Sequence, residues 1–228
     1  YHRGWSVPVA LSPEVQRTVT EFYGLDRVPV IFNGVNLHRC IPKRSYGLGD
    51  TVSLLHIGRF DEQKNHAGLL QAFAKLLKTH PNCCLNLLGD GHLRAKMENY
   101  ARELGIGHAV RFLGNQSDVH PYLHDADIFL LPSKYEGMPM TIIEAMGTGL
   151  PIVASRVGGV PDMLRDGESG LLTDCDPDEV CAACEKLIDS EELRRTLGQN
   201  ALADSVRFSA ETMAKRYCEE YERLTAKK

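Results

Sequence analysis

From residue 52 onward, short apolar runs alternate with segments of helical period. The runs at 52–57, 84–88, 110–113, 128–131 and 152–154, with a shorter one at 170–172, predict strands. They are apolar on successive residues rather than alternately, which is the pattern of parallel strands buried on both faces. Between the first two runs, Leu69, Leu70, Phe73, Leu76 and Leu77 recur at i, i+1, i+4, i+7 and i+8, a stripe that covers one face of a sheet. Further helices are predicted at 177–188, 191–206 and 210–224. Strands and helices in this alternation specify an α/β class, a parallel sheet with helices on both faces.

The first 50 residues follow other rules. Ser12-Pro13 is an N-cap with proline at the first helical position, and Val15, Val19 and Phe22 share a face until Gly24 stops the helix. A β-type run at 28–32 ends at Asn33-Gly34, and the stretch on to Asp50, with Pro42, Gly47 and Gly49, reads as a linker.

Composition narrows the function classes. The net charge of -4 is spread along the chain without a basic stripe, so nucleic acid is not an expected partner. Seven cysteines, odd in number and without framework spacing, read as free thiols in a reducing compartment, which points to the cytoplasm. Cys181 and Cys184 sit in an apolar-periodic helix and read as packing. No run of 18 apolar residues occurs, and Tyr1 to Trp5 lack both a starting Met and a signal-peptide core, so the chain reads as an excised piece.

Ligands of open α/β sheets sit beyond the carboxyl ends of the strands, and chemically useful residues cluster there in this sequence. After the first strand come Gly58, Arg59 and Lys64, a planar guanidinium fork and a mobile ammonium suited to a diphosphate. An exposed loop with ordinary charges, including a local pairing of Lys64 with Asp61 or Glu62, fits that segment as well. After the second strand, Gly89 and Gly91 permit close backbone approach by a ligand, although a plain strand-to-helix turn needs the same residues. A dinucleotide fingerprint is disfavoured, because Arg94 and Ala95 stand where its third glycine would fall.

The segment after the fourth strand is the most specific. Glu136 and Glu144 are separated by seven residues, and a helix starting near Pro139 turns the first-turn backbone of Met138, Pro139, Met140 and Thr141 toward the crevice that Arg59 and Lys64 face. Glu144 lies a turn into that helix, within reach of ribose hydroxyls, and Glu136 lies in the loop with Gly137. Two Asp-x-Asp pairs, Asp125 with Asp127 and Asp174 with Asp176, suggest metal only superficially. Asp127 precedes a buried strand, and the second pair reads as helix capping. The nine histidines show no metal-ligand spacing.

Gly58-Arg59 with Lys64, Gly89-Asp90-Gly91, the run from Val110 to Gly114, the spaced Glu136 and Glu144, and Gly149-Leu150-Pro151 with its following strand together resemble glycosyltransferase family 4, the group 1 glycosyltransferases. The resemblance implies the C-terminal, Rossmann-like half of a GT-B fold. It implies a retaining glycosyltransferase that takes a UDP- or GDP-sugar donor, without a required metal or other cofactor, and transfers to a glycan or lipid-linked acceptor held by an absent N-terminal domain. By position, Arg59 and Lys64 match the diphosphate-binding pair, Glu136 the glutamate near the donor sugar and Glu144 the one that holds the ribose. Leu113 and Asn115 fall where the family's loop lies against the base.

Residues 33–36, Asn-Gly-Val-Asn, resemble the interdomain hinge, from whose usual form Asn36 departs, as Gly147 departs from its own motif. The implied organisation is 1–44 as the end of the absent domain plus linker, 45–209 as the nucleotide-sugar-binding domain, and 210–228 as a helix packing back on the absent half. Any peripheral contact with the inner membrane face would also belong to that half. A non-hydrolysing nucleotide-sugar epimerase and a noncatalytic nucleotide-sugar-binding module are the alternatives.

Overall fold

The computed structural model describes residues 6–25 and 27–226. The segment Tyr1 to Trp5 and the last two lysines, which belong to the terminal segments delimited above, lie outside the described residues. Six parallel strands form one sheet: β1 (Val52–Ile57), β2 (Cys83–Leu88), β3 (Val110–Gly114), β4 (Ile128–Leu131), β5 (Ile152–Ser155) and β6 (Leu171–Thr173). Their order is β3-β2-β1-β4-β5-β6. The chain winds outward from β1 to β3, then returns to place β4 on the other side of β1. The gap between the loops after β1 and β4 is therefore the topological switch point, where an open sheet of this kind takes its ligand.

Successive strand residues feed opposite cores, as the pleat requires. Leu54, Ile128 and Leu130 pack with α2 (His66–Thr79), α3 (Arg94–Glu103) and α7 (Pro177–Asp189). Leu55, Phe129 and Leu131 pack with α4 (His120–Asp125), α5 (Met140–Thr148) and α6 (Val160–Met163). The stripe predicted on α2 is buried at Leu69, Leu70, Phe73 and Leu76 and partly covered at Leu77. Asp176 accepts from the amides of Asp178 and Glu179 at the start of α7, and Asp127 accepts from Ser53 N at 2.8 Å, so each Asp-x-Asp pair contributes a structural acceptor.

One expectation from the sequence needs correction. The run at 28–32 forms no strand. Its β-contact among the described residues is a bridge between Val30 and Ala10, because Pro29 has no N–H to donate and the segment lies apart from the sheet. The linker stretch up to Asp50 is a tethered strap. Tyr46 Oη donates to Gly149 O at 3.0 Å, and the buried Arg194 of α8 (Glu191–Ser205) donates to Tyr46 O at 2.9 Å and to the carbonyls of Leu187 and Ile188. Three carbonyls satisfy a guanidinium that would be costly to bury alone. Two helices flank this body, α1 (Pro13–Tyr23) and α9 (Ala210–Thr225).

Candidate functional site

The loops after β1 and β4 are stitched together across the switch point. Lys134 N donates to Gln63 O at 2.8 Å, Gln63 Nε2 donates to Tyr135 O at 2.9 Å, and Asn65 Nδ2 donates to Pro132 O at 3.2 Å. Asn65 holds φ +53, and its αL backbone turns the loop into α2. Within the stitch, Lys64 Nζ donates to Glu136 Oε1 at 2.5 Å, while Gln63 Nε2 lies 3.4 Å from Oε2. The two charged side chains are mostly buried, which strengthens their attraction. Lys64 has three N–H donors and this contact uses one.

Gly158 fixes the other side of the Glu136 loop. At φ +51 its backbone lies so close that a Cβ there would fall 1.7 Å from Glu136 O. Gly159 N donates to Gly137 O at 3.1 Å. Glu136 is thus held by Lys64 and Gln63 through its side chain and by the 158–159 turn through its backbone.

Arg59, Gly58, Gly89 and Asn115 line one cleft of about 320 Å³ beyond the ends of β1 to β3, together with Asp90, Gln116 and Val119. Gly89 has φ +125, and a Cβ on it would lie 2.1 Å from Gly58 O, so the two loops meet there backbone to backbone. The Gly91 N–H donates to Asp90 Oδ1 at 2.7 Å, and a Cβ on Gly91 would lie 2.5 Å from Phe60 O. Arg59 is largely exposed and its Nε donates to Asp61 Oδ2 at 2.8 Å. Burial opposes the charge on Asp61, but hydrogen bonds from Arg59 and from the amides of Lys64 and Gln63 hold its carboxyl below the usual range.

The first turn of α5 is narrower than the sequence suggested. Proline at 139 carries no N–H, and Met138 is buried, its sulfur accepting from Asn33 N at 3.1 Å. The amides of Met140 and Thr141 precede the first intrahelical bond, from Ile142 N to Pro139 O, and are the donors this helix end offers. One turn further, Glu144 is half-buried. Burial pushes its carboxyl up from the usual range, while His120 and Arg39 pull it back. Its side chain accepts no hydrogen bond among the described residues. Leu113 packs partly buried against the core on the α4–α6 side of the sheet, and its carbonyl accepts from Gln116 Nε2 at 2.6 Å.

Beneath this edge lies a pair of histidines that sequence reasoning left unassigned. His56, fully buried, has Nδ1 2.8 Å from Leu130 O, so that nitrogen carries the proton and Nε2 is a buried acceptor without a partner among the described residues. Desolvation drives His56 down to about 4 and His66 down to about 2, each helped by the nearby Lys64 charge. The His66 ring stacks on Phe60 with centroids 3.9 Å apart. A neutral floor therefore underlies the loop that carries Arg59 and Lys64.

Gln63 and Asn65 escaped the sequence, and Asp61 was seen there only as a local partner of Lys64. Their signal was adjacency to Lys64, but amide and carboxylate partners cannot be read before the crossing of loops is known.

The family model for glycosyl transferases group 1 matches residues 43–204. Over 222 residues the chain is 31% identical to the lipopolysaccharide core biosynthesis glycosyltransferase LpsE of Rhizobium meliloti, covering 95% of this chain and 64% of that protein. Over 176 residues it is 36% identical to a D-inositol 3-phosphate glycosyltransferase of Corynebacterium kroppenstedtii, covering 73% of this chain and 39% of the relative. The fold is that of Anabaena HepE, solved in complex with UDP, with a TM-score of 0.88 at 24% identity, over 96% of this chain and 64% of HepE. The chain spans less than two thirds of the length of these proteins. With most of its length matched by the family and the same α/β architecture, the chain belongs to the group 1 glycosyltransferases.

Proposed function

We propose that this chain is the donor-binding part of a retaining glycosyltransferase that moves a sugar from a nucleoside-diphosphate sugar to a glycan or lipid-linked acceptor. The observation that carries the reading is the Lys64–Glu136 pair at the switch point, with the Arg59 fork exposed on the adjoining cleft. Relatives above 30% identity, named for lipopolysaccharide core and inositol phosphate glycosylation, support it. No metal or other cofactor enters the reading.

The diphosphate is assigned to Arg59, Lys64 and the amides of Met140 and Thr141, the ribose to Glu144, the base to the loop at Leu113 and Asn115, and the sugar to Glu136. As the bond from the anomeric carbon to the phosphate oxygen breaks, that oxygen keeps the electron pair and charge grows beside Arg59 and Lys64. The sugar ring becomes oxocarbenium-like, facing the Glu136 carboxylate. The acceptor oxygen then bonds to the anomeric carbon, and its proton leaves with the diphosphate. Residues 1–44 and 210–228 would join the part that holds the acceptor, in the cytoplasm where nucleotide sugars are made.

The test uses the complete polypeptide with candidate nucleotide sugars and NMR of the product's anomeric proton. The donor's configuration is expected in the product, and inversion would overturn the retaining reading. Arg59→Ala or Lys64→Ala should lower turnover at least about tenfold with folding intact. Turnover equal to wild type would remove those residues from the site.

A further inference from the structure

Asp61 has no place in the roles above, yet it accepts from the Arg59 guanidinium and from the Lys64 backbone amide. It is only 8% exposed, and its two oxygens divide the work. Oδ2 accepts from Arg59 Nε at 2.8 Å, and Oδ1 accepts from the Lys64 backbone amide at 3.2 Å. Arg59 is bound at Nε alone, so both terminal nitrogens remain without partners among the described residues, on a side chain that is 74% exposed. Released from Asp61, so exposed a side chain would spread over many rotamers.

Charge balance makes this tether matter. Arg59 faces Asp61 and Lys64 faces Glu136, so the formal charges cancel pair by pair. A dianionic ligand gains little from net charge in such a place and must be caught by N–H groups already aimed at it.

We propose that Asp61 is a positioning residue that presents the free guanidinium fork of Arg59 for the diphosphate of a nucleotide. The inference rests on the donor-binding reading above and deepens it. Asp61 itself does not touch the ligand. Both its oxygens are turned to the loop's own N–H groups, which keeps its charge away from the phosphates.

Calorimetry on the 228-residue chain tests this with UDP, GDP and the bare nucleosides uridine and guanosine. The series is wild type, R59A, D61A, D61N and R59A/D61A. Where the wild type binds UDP or GDP, D61A and R59A should each weaken that nucleotide about tenfold, as for loss of one charged hydrogen bond. The double variant should be no weaker than R59A, and binding of the nucleoside should not change. D61N, which keeps the volume but offers one acceptor oxygen, should fall between wild type and D61A and serves alone if D61A does not fold. Wild-type affinity in D61A or D61N overturns the inference, as do additive losses in the double variant or an equal loss for the bare nucleoside. A wild-type chain that binds neither nucleotide defeats the donor-binding reading and this inference with it. Binding that ignores Asp61 defeats the inference only.

Discussion

The carboxyl edge of the sheet and the flank formed by α1 and α9 are built on opposite plans. At the edge, α5 buries six of its nine residues, and the loops beside it are cross-bonded through Gln63, Lys64, Asn65 and Glu136. On the flank, neither the 11 residues of α1 nor the 16 of α9 include a buried one. Phe22 and Tyr221 stand 79% and 62% exposed there, and the Arg27–Glu220 ion pair, at 2.6 Å, ties the segment after α1 to α9. Helices that bury nothing draw little stability from packing. The edge is cross-bonded and buried, whereas the flank displays apolar side chains that the described residues leave exposed.

Acid should break the edge first. His56 and His66 are buried neutral, while an unfolded histidine titrates near its ordinary value. Below about pH 6.5 the unfolded chain binds protons that the folded chain refuses, so stability must fall as pH drops toward 4 and rise as it is restored. His56 alone accounts for about 3 kcal/mol across that window. Denaturant unfolding at pH 7, 5 and 4 measures it, and a slope unchanged by His56→Gln would refute the assignment. Gly158→Ala comes next in size. It forces a methyl group onto Glu136 O from a left-handed backbone, and a loss of roughly 1–3 kcal/mol is expected, accompanied by weaker nucleotide binding. Normal binding in a destabilised variant would show that Gly158 does not set the Glu136 loop. The smallest effect belongs to the flank: Tyr221→Ser should shift stability by less than about 0.5 kcal/mol. A larger loss in this chain would mean that the α9 surface is already covered.

The contrast also sorts what could be read from sequence. The strands were legible to within about a residue because parallel burial writes continuous apolar runs, and α2 because its stripe has one period. Arg59, Gly58, Gly89 and Asn115 line one cleft, while the pairing of Lys64 with Glu136 was not among the sequence expectations. The run at 28–32 looked like a strand because local β-preference cannot say whether a partner lies alongside. The anchoring of the strap through Tyr46 and Arg194 was invisible for the same reason, since its acceptors are carbonyls far away in the chain. Asp61 was visible only as a neighbour of opposite charge, and which cation it served depended on a turn whose shape Asn65 sets.

The central claim is that the edge around Lys64 and Glu136 receives a nucleoside diphosphate. A crystal structure of the chain grown with UDP or GDP measures this directly. The account predicts phosphate oxygens within hydrogen-bonding distance of the Arg59 fork, Lys64 Nζ and the amides of Met140 and Thr141. Phosphates seated instead in the groove of Lys75, Lys78 and Tyr100 between α2 and α3, with Arg59 and Lys64 untouched, would contradict it.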